Sequence, residues 1–122
     1  MKKLYQIYKY ILIITILFLT AGVTWVKVTD NNEVMRHYIA TGKKLYKEKK
    51  CDECHGLEGK KPSVEQYPHV AGQPADYLAT QIKDIQSGTR QNGMTSIMKS
   101  AMTHLKADEI DMIAEYLASV TH

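Results

Sequence analysis

The sequence predicts an all-α fold of about three main helices, and three observations lead there. Apolar residues recur at three- and four-residue steps in three separate stretches, which is the pattern of one buried helix face. No stretch alternates apolar and polar residues as a half-buried strand would. The segments between the periodic stretches are punctuated by glycine and proline and read as extended connections. A chain of 122 residues, 44% of them hydrophobic, is the size of one compact domain. Many of those hydrophobic residues lie in one leading stretch, so the domain itself has a modest core. Small domains of this kind often depend on a metal, a disulfide or a cofactor for stability.

The leading stretch, residues 1–29, divides from the domain at 30–122. Lys2, Lys3 and Lys9 precede an uncharged run from Tyr10 to Val26, and no acid occurs before Asp30. The run sits at the lower limit of about 17–20 residues for a membrane-spanning helix. It is longer than the apolar region of a typical secretory signal, and Thr20-Ala21-Gly22 is only a fair cleavage site. Trp25 fits an interfacial anchor. The segment therefore reads as an uncleaved transmembrane anchor, with a cleaved signal peptide as the alternative. On either reading the flanking lysines keep the N-terminus in the cytoplasm and send the domain outward. These lysines also account for the formal net charge of +3; the remainder of the chain is close to neutral. Nothing in that balance supports nucleic-acid binding.

Taken in order, Thr29-Asp30-Asn31-Asn32-Glu33 suits a turn or a helix N-cap. Val34, Met35, Tyr38, Ile39, Gly42, Leu45 and Tyr46 then form one apolar face, with lysines gathered toward its C-terminal end, where the helix dipole favours them. From Gly56 to Gly72 no period is visible. A loop of that length is usually functional or disordered, and here it would wrap something. Pro74 can start a second helix whose inner face is Tyr77, Leu78, Gln81, Ile82 and Ile85, and which Ser87-Gly88 ends. Gly88 to His104 is again expected to be irregular. The last helix runs from about Ala107 to Val120, with Asp108, Glu109 and Asp111 early and Ile110, Ile113, Ala114, Leu117 and Val120 as its buried stripe.

Cys51-Asp52-Glu53-Cys54-His55 is the segment that carries chemistry. C-x-x-C-H is the attachment pattern of a c-type haem. Two thiols at this spacing reach the two vinyl groups on one edge of the porphyrin. The next residue then places an imidazole below the ring, where it can bind iron. The rival readings lack support. A thioredoxin-like redox pair belongs in a βαβ context, which is absent. A structural zinc site wants four ligands, and these are the only two cysteines. A disulfide across three residues is a poor staple. For the sixth iron ligand, Met94, Met98 and Met102 lie in the irregular stretch, where the chain can cross a haem face. Met112 falls in the last helix, and His69, His104 and His122 are the histidine alternatives. Composition alone does not choose among them.

These residues together resemble the class I c-type cytochrome family, closest to the bacterial branch of the c4, c5 and c553-type proteins. The likeness covers about residues 38–120. It rests on Gly42-x-x-Leu45-Tyr46 ahead of Cys51-x-x-Cys54-His55-Gly56, and on Pro68-x-Val70-Ala71-Gly72-Gln73 followed by Tyr77-Leu78 and Gln81-Ile82. Gly88-x-Arg90, a methionine-bearing loop, and Leu105 with the final helix complete it. The resemblance implies the class I fold wrapped around one covalent haem c. Counting back seven residues from Leu105, it implies Met98 as the axial partner of His55. It also implies that the Pro68 carbonyl accepts from the second nitrogen of His55, that Gly42 lets the first and last helices pack closely beside Tyr116, and that Arg90 lies near a haem propionate. Two departures stand out. Lys106 occupies the usual Ser/Thr cap of the last helix, a weakening of about 1 kcal/mol. Ile97-Met98 stands where the branch often has two methionines.

The expected function is therefore single-electron transfer in a respiratory chain, with no catalytic residue of its own. The expected partners are redox proteins, foremost membrane-bound respiratory complexes. Lysines 43 to 50, with Lys60 and Lys61, could steer an acidic partner or could simply be a solvated face. The competing classes are a haem subunit of a periplasmic dehydrogenase, a haem peroxidase, and a haem sensor. The last two require an open or labile iron site.

Overall fold

The computed structural model describes residues 1–121, with the side chains of residues 19–30 outside the description. The element order is α1 (Lys2–Glu48), α2 (Cys51–His55), one 3₁₀ turn (Leu57–Gly59), α3 (Ala75–Ser87), α4 (Thr95–Met102) and α5 (Ala107–Ser119). This is the all-α class that the periodicity predicts. The chain separates into two units, Met1–Met35 and Arg36–His122.

The first unit is helical, and its described apolar side chains, from Leu4 to Phe18, are all exposed. Lys9 lies over the ring of Tyr5 at 5.3 Å. Among the described residues no helix is long and apolar enough to cross a membrane. Much of the uncharged run to Val26, together with the Thr20-Ala21-Gly22 site and Trp25, falls on side chains outside the described residues. The polar stretch expected to form a turn or cap is instead helical at Asn31, Asn32 and Glu33. Their propensity penalty is only a few tenths of a kcal/mol per residue, too little to stop a helix already propagating.

The second unit holds the core. Tyr46 of α1, Leu78, Ile82 and Ile85 of α3, Met102 of α4, and Ile110, Ile113, Ala114, Tyr116 and Leu117 of α5 form one buried cluster. The expected stripe of α5 is buried as read, with Val120 partly so. On α1 the inward face is narrower than the periodicity suggests, because Val34 and Met35 are exposed. On α3, Tyr77 is 51% exposed and belongs to a cavity rim instead of the core.

Close approach of α1 and α5 depends on Gly42. A Cβ there would run into the Met112 carbonyl and stand 2.9 Å from Cβ of Tyr116. The Tyr46 and Tyr116 rings meet nearby, 5.8 Å apart and tilted by 57°. A mid-helix glycine costs about 1 kcal/mol relative to alanine, and here the contact it permits outweighs that cost.

The long loop is tied down at both ends. The Gly59 carbonyl accepts from the Val70 and Ala71 amides, and the Gly72 amide donates to the Leu117 carbonyl at 2.9 Å. Its one regular piece is the 3₁₀ turn. The stretch after Gly88 differs more from expectation, since Thr95–Met102 is helical. Its eight residues carry too short an apolar repeat to register as a period, and Thr95 and Met102 bury against the core.

At the start of α5 the sequence concern about Lys106 is answered by its neighbour. An ammonium accepts no hydrogen bond. Instead the Glu109 carboxylate accepts from the Lys106 amide at 2.9 Å, which satisfies one open donor of the first turn. The same carboxylate pairs with Lys49 at 2.9 Å. The Lys106 amide and the Lys49 ammonium together hold the Glu109 carboxyl below the usual carboxylate range.

Two outcomes are expected. Gly42→Val should lower unfolding stability by about 2 kcal/mol or more, read by thermal and urea denaturation. Because the Glu109 pKa is depressed on folding, the stability it contributes is present above the unfolded value of about 4.3 and lost as pH falls through the folded one. Glu109→Gln should therefore be less stable than the parent at pH 7 and lose less on acidification, measured as Tm from pH 7 to pH 3.

Candidate functional site

The C-x-x-C-H segment is a helix of its own. Lys50, in the left-handed region at φ 60°, breaks α1 from α2. The next residues form one and a half turns, so Cys51 and Cys54 share a face at three-residue spacing. Gly56 follows at φ 76°, where a Cβ would strike the Lys61 carbonyl, so the chain turns back under the helix only with glycine there. Tyr46 Oη donates to the Gly56 carbonyl at 2.9 Å, and the Ser63 amide donates to the Cys54 carbonyl at 2.9 Å. The motif is thus held from α1 on one side and from the loop on the other.

His55 is buried, 8% exposed, with Nδ1 2.9 Å from the Pro68 carbonyl oxygen. A carbonyl only accepts, so Nδ1 carries the proton and Nε2 keeps its lone pair. That is the tautomer a metal-binding imidazole needs. The ring of Tyr67 stands 6.4 Å away, tilted by 52°.

A cavity of about 380 Å³ opens beside the motif. Cys51, Cys54, His55 and Pro68 contribute to it, and Leu78, Ile82, Ile85, Leu105, Ile113 and Leu117 line it with aliphatic surface. Its charged lining residues are Lys49, Lys50 and Arg90, with no carboxylate among them. Burial pushes the Cys51 thiol up to about 11, so it is a protonated thiol at neutral pH. A redox-exchange nucleophile needs an accessible thiolate, and Cys51 does not supply one. Among the described residues, no group of three or more His, Cys, Asp or Glu side chains is arranged to hold a metal ion, short of the four ligands a structural zinc site wants.

The three candidate methionines all reach this cavity. Met94 stands at the N-cap of α4, and Met98 and Met102 follow at four-residue steps, so one face of the helix presents all three. Their surroundings differ. Met94 is 44% exposed, Met102 is 5% exposed within the core, and Met98, between them, is half-buried. His69 and His104 are exposed and do not line the cavity, and the His69 ring bonds to the Lys60 carbonyl instead. His122 lies outside the described residues. Met112 lends its carbonyl to the Gly42 contact.

Arg90 sits on the rim, with Nη1 donating to Gln81 Oε1 at 2.5 Å and Nε to Asn92 Oδ1 at 3.0 Å. Sequence reasoning placed Gln81 on an inner face without giving it this task, and it passed over Asn92. Tyr67 and Thr95, also cavity residues, were missed as well. Each is one polar residue in an irregular or short segment, where spacing carries no signal.

Two thiols and an imidazole meet at one end of a largely aliphatic cavity, and a thioether-bearing helix forms another part of its wall. That donor set fits a covalently attached haem. Comparisons with known proteins agree. The Cytochrome c family model matches residues 39–121. Cytochrome c4 of Pseudomonas aeruginosa is 38% identical over 68 residues, covering 55% of this chain and 34% of that protein. Cytochrome c-554(548) of Halomonas halodenitrificans is 35% identical over 69 residues, covering 57% of this chain and 82% of that protein. A thiosulfate dehydrogenase electron acceptor of Stutzerimonas stutzeri is 36% identical over 70 residues, covering 57% and 32%. The crystal structure of reduced cytochrome c4 from Pseudomonas stutzeri superposes with a TM-score of 0.63 at 26% identity, covering 70% of this chain and 50% of that one. The chain thus spans about a third of the length of the P. aeruginosa cytochrome c4 and half of the solved one. Motif, cavity and likeness converge on one conclusion: the chain belongs to the cytochrome c family, electron carriers of the class I fold built around covalent haem c.

Proposed function

We propose that this chain is a single-electron carrier with one haem c, bonded through Cys51 and Cys54 and coordinated by His55 and Met98. The observation that carries this is the bond between His55 Nδ1 and the Pro68 carbonyl. It fixes the tautomer and aims the ring. One C-x-x-C-H segment in 122 residues supports a single haem.

When bound, haem supplies a one-electron iron couple. The residues of the chain do the rest. The aliphatic wall excludes water, which limits the reorganisation that accompanies a change of charge. Met98 is the methionine that is neither at the solvent edge nor enclosed in the core, and a thioether in the sixth position raises the potential and closes the iron to substrates. Arg90, steadied by Gln81 and Asn92, would offset the charge of a propionate.

We place the partner-docking surface at the cavity rim, around Lys49 and Lys50, where no carboxylate lines the opening. The lysines do not act as one block. Lys43, Lys44, Lys49, Lys50 and Lys60 each lie within 4.0 Å of a carboxylate, with Glu58 facing both Lys43 and Lys60. Pairing reduces their far field, so steering is weaker than the lysine count suggests. We further propose that the domain works outside the cytoplasmic membrane, with residues 1–29 as a signal or anchor and membrane-bound respiratory complexes as partners. The lysines ahead of the apolar run support this, as does the exposed apolar surface from Leu4 to Phe18, which calls for a cover.

A second reading has a specific observation behind it. Relatives include the Stutzerimonas thiosulfate dehydrogenase electron acceptor and a cytochrome subunit of sulfide dehydrogenase from Chlorobaculum tepidum, the latter 30% identical over 71 residues. Service as the haem subunit or acceptor of such a dehydrogenase uses the same site and the same one-electron chemistry.

Optical spectra of the matured protein test the ligand set. The ferric form should show the weak far-red band of iron–methionine ligation. Met98→Ala should abolish the band, lower the reduction potential and open the iron to carbon monoxide in the reduced state. A band that survives in Met98→Ala would remove Met98 from the site. Reduction by a redox partner should slow severalfold as ionic strength rises from about 0.01 M to about 0.15 M, followed by stopped flow. Rates independent of salt would rule out docking through the rim cations.

A further inference from the structure

The methionine helix is short, and its ends are loosely made. At the N-terminus Met94 makes no side-chain cap. The first backbone bonds are long, with the Thr95 amide 3.4 Å from the Asn92 carbonyl and the Met98 amide 3.4 Å from the Met94 carbonyl. Gly93 precedes it at φ 59° with open space around it. Eight residues are too few to be helical on propensity alone, so the position of α4 is set by what grips it from outside.

At the C-terminal end that grip is specific. The side-chain amide of Gln86, near the end of α3, donates to the Met102 carbonyl at 3.0 Å and to the Leu105 carbonyl at 2.8 Å. The first is a carbonyl in the last turn of α4, which also accepts from the Leu105 amide at 3.0 Å, so Gln86 adds to a turn that the backbone already closes. The second lies three residues on, just before α5. One amide therefore spans the turn from α4 to α5 and pins it to α3. Among the described residues, no other side chain from outside the Gly93–Leu105 segment donates a hydrogen bond to it.

We propose that Gln86 is the positioning residue for the sixth-ligand methionine: its two donated bonds fix α4 against α3 and so hold Met98 at the face of the cavity. This rests on the reading of Met98 as a ligand. Gln86 does not line the cavity; it acts through the backbone carbonyls it binds. Met98 lies one helical turn before Met102, so any slip or fraying of the pinned end displaces the thioether along the cavity wall. The buried side chains of Met102 and Leu105 keep the segment folded when the bonds are absent, but apolar contact is not directional and does not select one register.

The matured full chain tests this with three variants. Gln86→Leu keeps the bulk and removes both donors, and Gln86→Glu keeps the shape but turns an acceptor toward two carbonyls. Gln86→Arg restores two donors. The readouts are the far-red band of the ferric protein and the affinity of the ferric iron for added imidazole, which competes with the methionine. Two lost bonds should raise imidazole affinity on the order of tenfold in Gln86→Leu and Gln86→Glu, with a weakened band. Gln86→Arg should return both toward the parent. Helical circular dichroism and Tm, measured alongside, separate a loosened ligand from an unfolded chain. Imidazole affinity within twofold of the parent in both Gln86→Leu and Gln86→Glu, with an intact band, would overturn the proposal. Met98→Ala in the same assay reports on the ligand alone: if its band survives, the choice of Met98 fails, while the Gln86 comparison is still scored against the parent.

Discussion

The bond from His55 to the Pro68 carbonyl is the contact on which the rest of the site depends. A buried imidazole with neither nitrogen satisfied is costly, and one with both satisfied has nothing left to bind with. Satisfying one nitrogen from the backbone leaves the other available and removes the ring's freedom to turn. That requirement explains much of the loop between the motif and α3. The loop has no period because its task is to deliver one carbonyl. It is tied at Gly59, Val70, Ala71 and Gly72 so that the carbonyl arrives in place.

Around that bond the helices serve as a frame. Gly42 lets α1 lie close against α5, and Tyr46 uses its hydroxyl to reach the Gly56 carbonyl behind the motif. Burial pushes the Tyr46 phenol well above its usual range, so it stays a neutral donor throughout physiological pH. The Lys49–Glu109 pair joins the end of α1 to the first turn of α5, and the same carboxylate completes the cap that Lys106 cannot supply. Exposed ion pairs contribute little to stability, but a carboxylate that also caps a helix acts through the hydrogen bond it accepts.

Much of this was legible in the sequence, and the parts that were not have physical reasons. Cys51, Cys54 and His55 form a local pattern of fixed spacing, so the motif is visible without any fold. The faces of α3 and α5 are long enough for a 3.6-residue period to emerge, and Leu78, Ile82, Ile113 and Leu117 are buried as that period requires. Helix α4 reads as irregular in the sequence because its eight residues carry two of the three candidate methionines, with Met94 just ahead of them, and few other apolar positions. The continuation of α1 through Asn31 and Asn32 contradicts a turn signal worth only tenths of a kcal/mol. Partnerships such as Arg90 with Gln81, or Gln86 with two carbonyls, join residues nine or more apart and depend on how α3 meets its neighbours. No local pattern encodes them.

Lys50 occupies the left-handed region between two helices that have almost no linker, since α1 ends at Glu48 and α2 begins at Cys51. A non-glycine residue there costs about 1 kcal/mol, and the junction makes its whole change of direction at that single residue. The two helices are therefore locked in phase. Tyr46, bonded to Gly56, lies five residues before Cys51, so the azimuth of the thiols depends on the chain length between them. One added or deleted residue at this joint would swing both sulfurs away from the cavity that Cys51 and Cys54 line while leaving the motif itself intact. The candidate site is in that sense longer than its five letters: its working unit begins at Tyr46.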